Sequence, residues 1–451
     1  MQKDMTEGSS LRLILLFALP LLMGNLLQQT YNVVDAAIVG RCLGSEALAG
    51  VGASGSVQFL ILGFCNGTGA GLGIPIAQRF GARDYKTMRD YLFHGYLLSG
   101  IIAISLTVIC AILCPQILHL LATPDEIFDE AYSYLFIIFL GIPFSVLYNL
   151  LASYLRAVGD SRTPFLFLAF STILNIILDL VCIRVFKWGV SGAAIATIFS
   201  QGVSGLLCLI LIIRRIDVLH ISGENCHFVG RHFWTMFTMG VPMGLQFSIT
   251  AIGSMVMQAA NNGLGSIYIS AFTAGCKIKC FIMCPFDAIA TSVSVFCGQN
   301  LGAGRMDRIK KGIRTGLLIN IVYGIVSGLV LMLWGRQMSL IFMDASEKLI
   351  LDASGKYLFC LGTCYTILGA LCLWRLALQG LGFSGRAIFA GAAEMVARIF
   401  VSAVFVPIAG YTAICWADQA AWLAACIYLL PALIMALRKV QKNLDAKPEL
   451  L

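Results

Sequence analysis

Apolar runs of twenty or more residues recur from one end of this chain to the other, separated by short polar breaks. About 20 apolar residues is the length a helix needs to cross the hydrocarbon of a bilayer. A helix also satisfies its own backbone hydrogen bonds where no water can. The runs predict spans at 12–39, 46–75, 91–114, 131–155, 164–185, 190–213, 233–261, 267–297, 312–335, 355–379, 387–408 and 412–437. Charge agrees with this reading. Of 451 residues, 59% are hydrophobic and 12% charged, against about 25% charged in soluble domains. So few charges cannot coat a water-facing surface, and lipid must serve as outer solvent. The expected class is an all-α polytopic membrane protein of about twelve transmembrane helices.

The net charge of +8 does not point to nucleic acid, because the bases sit in short inter-span breaks. Lys and Arg bias sets orientation. With the N-terminus inside, the outer face receives only Arg41, Arg184, Lys187, Arg336, Lys348 and Lys356. Lys277, Lys279, Arg375 and Arg398 fall within spans, and the other bases, Lys3 and Lys447 among them, crowd the inner side. Both termini are therefore expected in the cytoplasm, with the chain multi-pass in the cytoplasmic (inner) membrane. The first apolar run continues through Val39 without a small-residue cleavage site, so it reads as a span and not a signal peptide. Sixteen Cys lie mostly in apolar stretches and read as buried thiols. Cys276, Cys280 and Cys284 share a helical face but lack a fourth ligand, so no metal site is expected.

The chain also repeats itself. Leu19-Pro20 is matched by Val241-Pro242, and Leu43-Gly44-Ser45 by Leu264-Gly265-Ser266. Gln78-Arg79-Phe80-Gly81-Ala82 is matched by Gln299-Asn300-Leu301-Gly302-Ala303, and Gly159-Asp160-Ser161 by Gly382-Phe383-Ser384, at a near-constant offset. Six spans per repeat is an even number, so both halves share one orientation. They are expected to form two lobes related by a pseudo-two-fold axis along the membrane normal, with a cleft between them. The expected division is an N-lobe over 1–213, a cytoplasmic linker over 214–232, a C-lobe over 233–438 and a tail over 439–451. A doubled bundle with a central cleft makes transport the first mechanism to consider.

Ionisable groups inside a membrane are expensive and are functional candidates by default. The first span carries Asn25, Gln28, Asn32 and Asp35 at spacings that place them on one helical face. The fifth carries Asn175 and Asp179 four apart, again on one face. Asp35 lies shortly before Arg41 and Asp179 shortly before Arg184, so the two acids match in depth, and Thr197 in the sixth span could add a hydroxyl there. Two readings are open. The acids are solvated near helix ends or paired with those arginines, or they form a cation-coupling site in which a proton or Na⁺ relieves their repulsion and the pair titrates as a unit. The seventh span offers Gln246, Thr250 and Ser254 but no acid, so coupling is expected in the N-terminal half alone. The second half has Lys277, Lys279 and Asp287 in its eighth span, with Lys277 either lining the cleft or pairing with an acid. Glu394 and Arg398, four apart in the eleventh, are expected to form an intrahelical ion pair. Gly63, Gly67 and Gly71 predict close helix packing. Gly380-Leu381-Gly382-Phe383-Ser384-Gly385 has glycine spacing of a nucleotide loop but follows a membrane helix, so it is read as a turn. No Walker A, HExxH or GxSxG pattern occurs, and no catalytic residue or cofactor is expected. Energy must come from an ion gradient or a separate subunit.

At these residues the chain resembles the multidrug and toxic compound extrusion (MATE) family along essentially its whole length. The resemblance is carried by Pro20, Val34-Asp35, Val39-Gly40-Arg41-Cys42-Leu43-Gly44, Arg156-Ala157-Val158-Gly159-Asp160-Ser161, Gly298-Gln299-Asn300-Leu301-Gly302-Ala303-Gly304 and Glu394-Met395-Val396-Ala397-Arg398. It implies a V-shaped pair of lobes and antiport of amphipathic, often cationic compounds against H⁺ or Na⁺. It also implies an ion site at Asp35, Asn175, Asp179 and Thr197, as in the branch often called DinF-like. Gln28 and Asn149 would belong to the neighbouring pocket; Asn32, Lys277 and Asp287 are further pocket candidates. The missing acid in the seventh span departs from other members. The expected partners are drug-like small molecules and membrane lipids, with no nucleic acid, and the chain is expected to act as a monomer. A lipid-linked precursor or oligosaccharide flippase of similar fold is the alternative, although it would call for a strongly cationic cavity. An intramembrane aspartyl enzyme would leave the duplication without a role.

Overall fold

The computed structural model describes residues 4–121 and 123–446. Lys3, Lys447 and the end of the expected tail lie outside the described residues. The first half runs α1 (Ser10–Leu43), α2 (Ser45–Gly81), α3 (Tyr85–Leu120), α4 (Phe128–Leu140), α5 (Ile142–Ala157), α6 (Arg162–Leu180) and α7 (Gly189–Arg215). The second half runs α8 (Gly230–Asn262), α9 (Ser266–Gly302), α10 (Met306–Ser339), α11 (Lys348–Thr363), α12 (Tyr365–Gly380), α13 (Ser384–Phe400), α14 (Val406–Ala409) and α15 (Tyr411–Asp445). Among the described residues ten helices are long and apolar enough to cross a membrane, and up to twelve if each of two bent pairs counts as one span. This is a multi-pass membrane protein.

The bent pairs are the fourth span of each half. The span expected at 131–155 is α4 and α5 meeting at 46°, and that at 355–379 is α11 and α12 meeting at 57°. In the first of these, Pro143 near the start of α5 has no N–H to continue the ladder, and Gly141 at the break donates to the Ile137 and Ile138 carbonyls.

Backbone geometry repeats along with the sequence. One π-helical turn follows α6 at Val181–Val185 and another follows α13 at Val401–Phe405. Left-handed residues recur in register: Gly159 (φ 88°) with Gly382 (φ 89°), and Arg83 (φ 55°) with Gly304 (φ 70°). At the second of these turns the first half holds a side chain in a region that L-residues seldom take.

By packing, the chain forms two units. One comprises Met23–Gly244 with Asp4, and the other residues 5–22 and 245–446. The first part of α1 therefore packs with the second half of the sequence, and the first part of α8 with the first half. Each change of allegiance falls just after a proline inside the helix, Pro20 in α1 and Pro242 in α8. A proline breaks one rung of the ladder and makes that point the easiest place to bend.

In unit 1 the tight helix contacts on α2 fall at Gly71, which abuts the Met239 carbonyl of α8, and at Gly73, which abuts Ser153 of α5. Gly71 is one of the three positions expected to pack closely. The segment between α7 and α8 is tied down. Arg89 donates to the Asp217 carbonyl (3.2 Å), and Asn225 Nδ2 to Asp90 Oδ1 (2.8 Å). His94 is fully buried, its Nδ1 faces the Asp90 carbonyl (2.6 Å), and its Nε2 accepts from the Val229 N–H (2.8 Å). Those partners require the neutral ring with its proton on Nδ1. Replacing His94 by alanine strands a buried N–H, at a cost of about 1–3 kcal/mol. Amide exchange at Val229 is expected to accelerate by at least about tenfold, and unchanged exchange would show that this contact holds nothing.

Unit 2 holds the start of the described chain in the same manner. Met5 is fully buried. Its N–H donates to Gln299 Oε1 (2.9 Å), and its carbonyl accepts from Asn300 Nδ2 (3.2 Å) and Arg308 Nη2 (3.0 Å). The Gln299-Asn300 motif that marked the repeat is thus an anchor for the chain ahead of α1.

Candidate cation-coupling site

Within unit 1, α1, α6 and α7 bring polar groups together inside an apolar bundle. Asp179 is fully buried and Asn175, one turn earlier on α6, nearly so. The Asp35 carboxyl of α1 faces that of Asp179. Both Asp179 oxygens, Asp35 Oδ1 and both amide atoms of Asn175 are buried and meet no hydrogen-bond partner among the described residues. Buried polar atoms are nearly always partnered, so a cluster of orphans marks a place where something else is meant to bind. Among the described residues neither acid forms an ion pair. Arg41 and Arg184, the partners a purely structural role would use, are exposed instead, and Arg184 Nε donates to Cys42 Sγ (3.4 Å).

Thr197 of α7 is half-buried and its hydroxyl lies 3.1 Å from Tyr31 Oη of α1. Tyr31 was not singled out in the sequence, although it lies four residues before Asp35 and so on the same face. Tyr134 of α4, almost fully buried, lies near both acids. The remaining pocket candidates scatter. Gln28 is half-buried and Asn32 exposed, while Asn149 Nδ2 donates to the Ser145 carbonyl of its own helix (2.9 Å). Lys277, in unit 2, is exposed with its ammonium over the Phe342 ring at 5.6 Å. It pairs with no acid among the described residues.

Unit 2 has no such acid pair but carries a charge network that the sequence reading only touched. Arg398 Nη2 meets Glu394 Oε2 at 3.5 Å, so the intrahelical pair exists, yet each member has a shorter partner elsewhere. Arg375 Nη1 reaches Glu394 Oε1 at 3.0 Å, and Arg398 Nε reaches Asp418 Oδ1 at 3.1 Å. Lys279 Nζ lies 2.7 Å from Asp418 Oδ2, which also accepts from Tyr357 Oη (3.1 Å). Asp287 lies beside Arg375 and Cys372. Asp418, central to the network, went unnoticed in the sequence; its signal was an acid next to Gln419 within an otherwise apolar run. The two units thus differ in chemistry: in unit 1 Asp35 and Asp179 meet no base among the described residues, and in unit 2 Glu394 and Asp418 are held by bases.

Comparison with known proteins agrees with this architecture. The MatE family profile matches residues 20–181 and 242–404, one stretch in each half. A probable multidrug resistance protein of Bacillus subtilis, YpnP, is 32% identical over 306 residues, 68% of each chain. A second from the same organism, YoeA, is 28% identical over 351 residues, 76% of each chain. A solved structure of a MATE protein in complex with MaL6 superposes with a TM-score of 0.90 at 21% identity, covering 97% of this chain and 99% of that one. The duplicated helices, the paired family matches and these relatives together place the chain in the MatE family, the multidrug and toxic compound extrusion transporters whose motifs it carries.

Proposed function

We propose that this protein is a secondary active efflux antiporter of the cytoplasmic membrane, with both termini inside. It exports amphipathic, often cationic compounds by alternating access in exchange for inward H⁺ or Na⁺. The observation that carries the coupling reading is the carboxylate pair of fully buried Asp179 and half-buried Asp35, whose buried oxygens meet no hydrogen-bond partner and no base among the described residues. Two like charges so placed repel strongly where water is scarce, and a cation between them removes the repulsion. The neighbouring Asn175 amide and Thr197 hydroxyl supply neutral oxygens suited to either ion. With the acids ionised, unit 1 attracts a cationic substrate. A proton or Na⁺ taken from outside cancels that attraction and lets α1 repack at Pro20, so the substrate leaves. The names borne by the relatives support drug-like substrates and a transporter in place of an enzyme.

The test uses purified protein in proteoliposomes loaded with ethidium. Imposed pH and Na⁺ gradients are applied separately, and one of them is expected to accelerate efflux. Efflux indifferent to both would remove the coupling reading.

A further inference from the structure

At the end of unit 1 that the basic-residue bias assigns to the outer face lies a polar cavity of about 570 Å³. Arg41 and Cys42 from the end of α1, and Arg184, Lys187 and Gly189 from the segment joining α6 to α7, form its lining. Three bases and no acid thus converge from stretches far apart in sequence. They are half of the six bases expected on the outer side, where positive residues are scarce. On unit 2, by contrast, the outer base Arg336 has an acid partner, Asp352, at 2.6 Å. Among the described residues Arg41, Arg184 and Lys187 form no ion pair. Three positive charges about one cavity without an acid partner repel one another, and an anion seated among them reverses the sign of that energy.

The backbone gives independent support. Lys187 has a φ of 56°, a left-handed conformation that residues other than glycine adopt only at a cost. The residue so held is one of those that line the cavity. The second half provides a control. Its matching segment, Val401–Ala409, has the same π-helical turn but contains no Lys or Arg. The fold requires the turn and does not require the bases.

The depth of the cavity indicates which anion it meets. Phe186 and Trp188, flanking Lys187, stack at 5.0 Å and remain half exposed, 54% and 50%. Exposed aromatic rings at a helix end mark the headgroup level of a bilayer. We propose that this cavity is a phosphate site, and that the phosphate is that of an anionic phospholipid headgroup in the outer leaflet. The site is separate from the coupling acids, and its test reads lipid binding alone, so the two readings stand or fall independently.

The experiment titrates phosphatidylglycerol, and separately phosphatidylcholine, into detergent-solubilised protein and reads retained lipid by native mass spectrometry. The wild type is expected to retain one phosphatidylglycerol at least about tenfold more tightly than phosphatidylcholine. Arg184→Gln/Lys187→Gln should weaken that retention by roughly tenfold or more, since each base near an anionic headgroup adds to its binding. Arg41→Gln, which removes one charge in place of two, should show a smaller loss, and Arg336→Gln none. Equal retention by wild type and double variant, or equal retention of the two lipids, overturns the site. Displacement of phosphatidylglycerol by millimolar inorganic phosphate overturns the lipid assignment and leaves a site for free phosphate.

Discussion

Ethidium efflux driven by the coupling ion is expected to fall by at least about tenfold, toward background, when Asp179 is replaced by asparagine. Asparagine keeps the shape of the side chain and removes its charge, so the change tests electrostatics without opening a cavity. Asp35 then faces a neutral amide. A half-buried carboxylate without a like-charged neighbour has lost the repulsion that cation uptake relieves, and the ion gradient has less to act on. A tenfold loss corresponds to about 1.4 kcal/mol of differential binding, a modest part of what two charges in a dry site exchange. Asp35→Asn should behave in the same way, and the two together should be little worse than either, because the acids act as one unit. Thr197→Ala should have a smaller effect. Unchanged gradient-driven efflux in both single variants would mean that coupling lies elsewhere.

The largest effect on stability is expected from Asp418→Ala in unit 2. Asp418 is 1% exposed and holds Lys279, Arg398 and Tyr357. Removing it leaves two buried cations short of their shared partner, and breaking a buried pair from one side costs about 3–5 kcal/mol. Thermal unfolding in detergent should fall by several degrees, with much of the protein lost to aggregation on purification. Lys279→Met combined with Asp418→Leu should recover part of the loss, since both ends of the contact then become apolar. Arg336→Gln sets the scale. That pair is about half exposed, and its loss should change stability by about 0–1 kcal/mol. An Asp418→Ala protein that melts like wild type would show the network to be incidental.

How far the sequence revealed these features depends on whether they live within one helix or between helices. The length of each apolar run and the shared face of Asn175 and Asp179 are properties of spacing along a single helix, the duplication is a match between linear segments, and each could be read directly. Lys279 and Asp418 lie 139 residues apart, and nothing in either apolar run names the other. Lys277 and Lys279 illustrate the limit. Two residues along a helix correspond to about 200° of rotation, so one ammonium enters the network while the other lies over Phe342. Without knowing which face is buried, the sequence could not separate them. Glu394 and Arg398 were recognisable as a pair, but their shorter contacts come from α12 and α15. Tyr31 shares the face of Asp35 by spacing, but a tyrosine in an apolar span carries no charge to distinguish it from the packing aromatics around it. The sharing of α1 and α8 between units could not be seen at all, since both read as ordinary continuous spans.

That sharing bears on how the protein is made. Residues 5–22 emerge from the ribosome well before residues 245–446, yet they belong to one unit with them. Met5 is held by Gln299, 294 positions later. The first part of α1 therefore waits for more than two hundred further residues before its packing partners exist, and only the later part of that helix can settle as α2 to α7 arrive. Unit 1 in turn stays open until α8 supplies its opening turns. Neither unit can finish before the second half has begun to enter the membrane, so a chain halted between α7 and α8 has two incomplete assemblies and no finished one.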